Sequence, residues 1–359
     1  MLILVKYLTR FYLTLDYPFL LFFNLPMPIY RFKFTSLFLL LTLLSSLALS
    51  MENSIDYKKN WLSLLEAPKS YVFEKSLTLL KRYEFKTLDI EVYRQANGIG
   101  TFQTLYIALP KNLKKRAPTV VVPYYNPEQM LGFFPDSLKQ ADSPNIAIMR
   151  HLAERGFIVA TAETYHLTYI KSDKHRKDFS RWNDAGHSLM KDYPRWSGMG
   201  KLVFDTQLII DILQADNRVD AENIGIAGHS LGGKIAFYVG CIDPRIKVIL
   251  ASDFGIAWEQ SNWHDIWYWG EKLEKIKADG LNHAQLLDMA NAKPFVFLAG
   301  KYDNNDSLKI LNCAKSYSNF PDRLLFINHA KGHRPPLDVL EQGYDFLEKY
   351  LCKKKHCDK

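Results

Sequence analysis

Cysteine is scarce in this chain: Cys241, Cys313, Cys352 and Cys357 are unevenly spaced and form no Cys-x-x-Cys pair. That pattern offers neither a zinc ligand set nor a disulfide framework, and it leaves the compartment open. Internal repeats and low-complexity segments are also missing, which sets aside solenoids and flexible linkers. With 48% hydrophobic and 23% charged residues among 359, disorder is excluded and one large globular domain, or two small ones, is expected. The net charge of +8 is scattered, apart from Lys111 to Arg116 and the tail Lys353-Lys354-Lys355. No nucleic-acid-binding motif accompanies those clusters, so they read as solvated loop and tail, and nucleic acid is not an expected partner.

Near the N-terminus, Arg31 and Lys33 precede an uncharged, leucine-rich run from Phe34 to Leu49, closed by Ala48-Leu49-Ser50. A basic flank, an apolar core and small residues at its end describe a secretory signal peptide cleaved after Ser50, for which Met27 is a more ordinary start than Met1. The apolar core is shorter than the ~20 residues of a spanning helix, so export is the expected fate. An uncleaved segment would instead anchor the protein to a membrane, and translation from Met51 would leave it cytoplasmic. Residues 1–50 are therefore set apart from 51–359, which reads as a single domain.

Within that domain the spacing of apolar residues from Ser54 to Arg82 predicts one or two amphipathic helices. Thr87 to Tyr93 and Thr101 to Leu109 alternate and suggest a half-exposed hairpin at a sheet edge. Thr119 to Val122, Phe157 to Ala162, Ile246 to Ala251, Phe295 to Ala299 and Leu324 to Ile327 are continuous apolar runs, the mark of strands covered on both faces. Helical segments fall between them: Ile146 to Arg155, Leu202 to Leu213, Lys234 to Gly240, Leu273 to Met289 and Leu337 to Leu351. Strands alternating with helices predict an α/β fold with a mostly parallel central sheet. Two long stretches, about 163–200 and 256–291, read as lid-like insertions, the second helical and rich in tryptophan.

Ile224 to Ala227 is another apolar run, and it stops at Gly228-His229-Ser230-Leu231-Gly232-Gly233. Glycine two places before and two after the serine removes side chains that would collide at a sharp strand-to-helix turn, the form of a nucleophile elbow. A serine hydroxyl needs a positioned base, and His333, in the loop after the last strand, is the expected one. Asp303, after Phe295 to Ala299, would orient that histidine, with Asp253 as the alternative acid and His329 as the alternative base. His329 and His333 read as a metal pair is less consistent with a loop, so no metal is expected. The oxyanion donors expected are Leu231 N–H and Tyr125 N–H, with a hydroxyl of the Tyr124-Tyr125 pair as another source. His229, Trp258, Trp263 and Trp267 are the candidate pocket wall, where aromatic faces suit a sugar ring or an aromatic acid; the tryptophans read equally well as core beneath a lid.

The segment Arg218 to Gly225, the elbow Gly228 to Gly233 and Asp243-Pro244-Arg245-Ile246 together resemble the α/β-hydrolase superfamily. Within it they are similar to the dienelactone-hydrolase-like and acetyl-xylan-esterase-like serine esterases. The pattern extends from about Pro118 to Leu351, and the order Ser230, Asp303, His333 is that of the superfamily's triad. The resemblance implies a cofactor-free serine hydrolase that cleaves carboxylic esters of small molecules or acylated carbohydrates through an acyl-enzyme. A serine peptidase or thioesterase of the same fold, and a hydrolase-fold binding protein without activity, are the alternatives. The chain departs from the pattern at Tyr124-Tyr125, where a His-Gly is often found, and dienelactone hydrolases proper use cysteine where Ser230 stands.

Overall fold

The continuous apolar runs form the middle of a nine-stranded sheet, in the order β1-β2-β3-β5-β4-β6-β7-β8-β9. The computed structural model describes residues 57–352 apart from 112, 114, 171–178, 292 and 304, so the segment read as a signal peptide lies outside the described residues. The strands are β1 Leu77–Glu84, β2 Leu88–Gly98, β3 Thr101–Pro110, β4 Ala117–Val121, β5 Ile158–Ala162, β6 Val219–His229, β7 Ile246–Ser252, β8 Phe295–Ala299 and β9 Leu324–Asn328. From β5 to β9 all neighbours are parallel, whereas β1 to β3 run antiparallel and join through β3 to β5.

Successive residues of a strand face opposite sides, so the inner strands feed two apolar layers. In β4, Val121 belongs to one layer, with Ile226, Ile235 and Phe237, while Val120 belongs to the other, with Ala227, Leu250 and Leu340. Each such side chain, wholly removed from water, contributes on the order of 1.5–3 kcal/mol. The helix Leu231–Ile242 lies close on the sheet because Gly240 has no Cβ; one would come 2.4 Å from the Ile249 side chain.

Two expectations need correction. The stretch Leu77–Glu84 is a strand, not a helix: among the described residues before it helix covers 57–65, and the chain then pairs with β2 at the sheet edge, with Leu77, Leu79 and Leu80 exposed. With β1 outside it, β2 is mostly buried rather than half exposed. The helical segments expected around Leu273 to Met289 are two helices, Lys272–Ala278 and His283–Met289, separated where Gly280 takes φ 74° and Asn282 caps the second. A helix over Asn305–Tyr317, between β8 and β9, was not signalled by a clear apolar stripe. The insertion after β5 contains a helix, Ser180–Asp192, that buries Trp182, Ala185 and Leu189.

Strand order places the site. The chain leaves β4 for β5 on one side and returns to β6 on the other, so the loops after β4 and β6 diverge and open a crevice at their carboxyl ends.

Candidate active site

Ser230 stands at the end of β6 with φ 54° and ψ −116°, a backbone conformation that L-residues rarely adopt. The flanking glycines make it attainable. A Cβ on Gly228 would come 2.1 Å from Gly232 O, and one on Gly232 would come 2.0 Å from Pro123 O. The second contact shows how closely the elbow helix is set against the loop after β4. Leu231 opens that helix, so its N–H has no helical acceptor.

His333 Nε2 lies 2.8 Å from Ser230 Oγ, so the structure brings together the serine and the histidine singled out from sequence. Burial lowers the pKa of His333, and the positive charges of Lys234 and Arg334 lower it further, which keeps the imidazole neutral and able to take a proton. Lys234, one turn after Ser230, donates to Ser261 Oγ at 2.6 Å and Asn262 Oδ1 at 3.2 Å, with its ammonium over the Trp263 and Tyr268 rings. Burial brings its pKa down to about 7 against the pull of Asp303 and Asp265. Sequence reading missed Lys234 because a lysine on an elbow helix gives no sign of being buried.

The two candidate acids have different surroundings. Asp303 is buried, and its carboxylate accepts Gly255 N–H at 2.7 Å and Gly300 N–H at 3.2 Å. Burial raises its pKa, and those two N–H groups and Lys234 oppose the rise. Asp253, with φ 49°, accepts no backbone N–H on its carboxylate among the described residues; burial raises it to about 8. Its partners are Ser252 Oγ at 2.7 Å and His329 Nε2 at 3.1 Å. Among the described residues neither carboxylate hydrogen-bonds to His333.

The tyrosine loop also reaches Ser230. Burial raises the phenol of Tyr125, and a hydrogen bond with Ser230 opposes that rise. Tyr124 is buried against Tyr125, with ring centroids 4.9 Å apart, and burial raises its phenol too. Tyr125 meets Trp182 edge to face at 5.4 Å, and Trp182 lies 5.9 Å from Trp267, which stacks on exposed Phe179. Trp182 was not among the expected pocket residues. It is also stacked at 3.4 Å on His166, whose pKa burial lowers to about 2.

Of the expected pocket wall, Trp267 joins this aromatic group. Trp258 and Trp263 instead pack around His283, with Trp258 also stacked on Trp61, and Trp263 donates its indole N–H to Gly255 O at 2.7 Å. His229 is 1% exposed, Nδ1 is 3.0 Å from Ser252 Oγ and its ring centroid is 5.1 Å from that of His333.

The fold is that of the α/β-hydrolases. The model of the dienelactone hydrolase family matches residues 106–253, from β3 through the elbow to the end of β7. YtaP of Bacillus subtilis (strain 168), named as a hydrolase, is 23% identical over 165 residues, 42% of this chain. The match spans 54% of that relative, about half its length. Among solved structures, a Bacteroides fragilis protein described as an acetyl xylan esterase superposes with TM-score 0.62 at 13% identity, covering 84% of this chain and 83% of that one. A glucuronoyl esterase from Solibacter usitatus gives 0.59 at 12%, covering 80% and 90%. A glucuronoyl esterase from Teredinibacter turnerae T7901 gives 0.59 at 17%, covering 82% and 85%. Ser230 and His333 sit on loops at the carboxyl edge of the sheet, where open α/β sheets place their ligands.

Proposed function

We propose that the protein is a serine hydrolase of carboxylic esters, with Ser230 as nucleophile, His333 as base and Asp303 as the acid of the triad. The observation that carries the reading is the 2.8 Å contact of His333 Nε2 with the hydroxyl of an elbow serine at φ 54°. In the first half-reaction the Ser230 proton passes to His333 as Oγ attacks the ester carbonyl carbon. The oxyanion forms beside Leu231 N–H and Tyr125. His333 then protonates the departing alcohol, and water attacks the acyl-serine by the same route. Asp303 is preferred to Asp253 because two backbone N–H groups favour its charged form, whereas burial pushes Asp253 up to about 8 and its two oxygens already bond Ser252 and His329.

For substrate we favour acylated carbohydrates or small esters. Trp182 and Trp267 beside Tyr125 offer flat apolar faces, and the structural neighbours named above are described as esterases of glucuronoyl and acetyl xylan groups. Export is the proposed fate, and Cys352, although no disulfide framework was legible from cysteine spacing, is disulfide-bonded, which fits an oxidising compartment. Purified protein assayed on p-nitrophenyl acetate should turn over and be labelled on Ser230 by a fluorophosphonate, and Ser230→Ala should lose both. Absence of both in the wild type would leave a hydrolase-fold binding protein. Faster cleavage of a peptide anilide or a thioester than of acetylated xylan would move the assignment to those reactions.

A further inference from the structure

Two residues that rival the triad by position, Asp253 and His329, are bonded to each other, while the histidine in contact with the serine is His333. His329 Nδ1 accepts Lys331 N–H at 3.2 Å, so the neutral ring carries its proton on Nε2 and donates it to Asp253 Oδ1 at 3.1 Å. Asp253 Oδ2 accepts the Ser252 hydroxyl at 2.7 Å, and Ser252 Oγ lies 3.0 Å from His229 Nδ1. Four side chains thus run in series from the end of β6, across the end of β7, to the loop after β9. Water does not compete for these bonds: the Asp253 and His329 side chains are each 1% exposed. Satisfied polar chains of this kind in a dry interior fix geometry strongly.

The far end of the chain is the loop that carries the base. His329 N–H donates to Ala299 O at 2.9 Å, Lys301 N–H donates to Lys331 O at 2.7 Å, and Ala330 is bent to φ 53° between them. Room for this packing exists because residue 300 is glycine, where a Cβ would come 2.4 Å from Asp253 Oδ1 and 2.5 Å from Gly332 O. Only Ala330, Lys331 and Gly332 separate His329 from His333. We infer that Asp253 and His329 are a positioning pair: His329, held by Asp253 through one ring nitrogen and by the Lys331 backbone through the other, sets the turn that presents His333 to Ser230. The inference rests on the hydrolase reading above and gives neither residue a proton-transfer step.

The test is steady-state kinetics on p-nitrophenyl acetate, normalised to the fraction of Ser230 labelled by fluorophosphonate, with thermal unfolding as the check on folding. Because a ~1 Å misplacement of a reacting group costs on the order of 10²-fold, His329→Ala and Asp253→Ala should each lower kcat by roughly 10- to 100-fold with KM within about twofold. His329→Gln, whose amide N–H reaches the place of Nε2, and Asp253→Asn, whose amide oxygen still accepts, should each recover to within about fivefold of wild type. The two alanine changes together should cost little more than either alone, since they break one bond. Where an alanine variant does not fold, His329→Asn replaces it: it keeps an acceptor for Lys331 N–H, cannot reach Asp253, and should fall below His329→Gln in kcat. The inference is overturned if Asp253→Asn loses as much as Asp303→Asn, if His329→Asn and His329→Ala match wild type, or if the losses appear in KM. Failure of the hydrolase reading is recognised separately, by Ser230→Ala keeping wild-type turnover.

Discussion

Replacing Gly232 by alanine probes the oxyanion side of the site without touching a reacting group. Gly232 is in the first turn of the helix Leu231–Ile242 at an ordinary negative φ, so alanine meets no dihedral strain there. Its methyl group would lie 2.0 Å from the Pro123 carbonyl oxygen, where ordinary contact begins at 3.4 Å. Both sides of that contact are backbone, and no side-chain rotation relieves it. The elbow helix and the loop after β4 must therefore separate by about 1.4 Å, an opening that carries Tyr125 away from Ser230 and the Leu231 N–H. A shift of this size at an oxyanion site is expected to lower kcat by roughly 10²-fold while KM changes little, since donors that must meet a developing charge lose most when displaced. The assay is p-nitrophenyl acetate turnover per labelled Ser230, beside circular dichroism to establish folding. A folded Gly232→Ala protein within threefold of wild-type kcat would refute both the close contact and the placing of the oxyanion beside Tyr125.

Other substitutions separate the remaining roles. Lys234→Met removes a positive charge that depresses His333; the histidine pKa then rises, and the acid limb of the kcat/KM profile should move to higher pH, with no movement or a downward one contradicting the coupling. Asp303→Asn should reduce kcat by roughly 10³- to 10⁴-fold and Asp253→Asn far less, a ranking whose reversal would make Asp253 the acid. Lys201 and Asp205 form a buried ion pair, and Lys201 also donates to Asn97 O at 2.9 Å. Lys201→Met strands that carboxylate and should destabilise the fold by about 3–5 kcal/mol in urea titration, whereas the double replacement by Met and Leu should recover much of the loss.

What was legible in the sequence is what local pattern controls. Apolar runs such as Phe295 to Ala299 declare a strand covered on both faces, and Gly228 and Gly232 around a serine declare a turn where side chains would collide. Ser230 and His333 were found that way and meet at 2.8 Å. Pairing partners are not local, so Leu77–Glu84 looked helical until β2 supplied its hydrogen bonds. The same holds at the site. Nothing near residue 329 tells that its ring will face Asp253, 76 positions earlier, and nothing near Lys234 tells that Trp263 and Tyr268 will close over it. Trp258 and Trp263 looked like a pocket wall because tryptophan spacing records composition, not which side of a helix meets the core.

The proposed base, His333, follows the last strand of the sheet. Among the described residues β9 pairs with β8 alone and is only partly buried, so His333 hangs from an edge strand that is braced on one side. Ser230 follows β6, which is braced by neighbours on both sides. Fraying at such an edge requires less free energy than global unfolding. In rising denaturant, catalysis should therefore fade while the tryptophan-rich interior still reports a folded protein, and hydrogen exchange should reach the amides of β9 before those of β6.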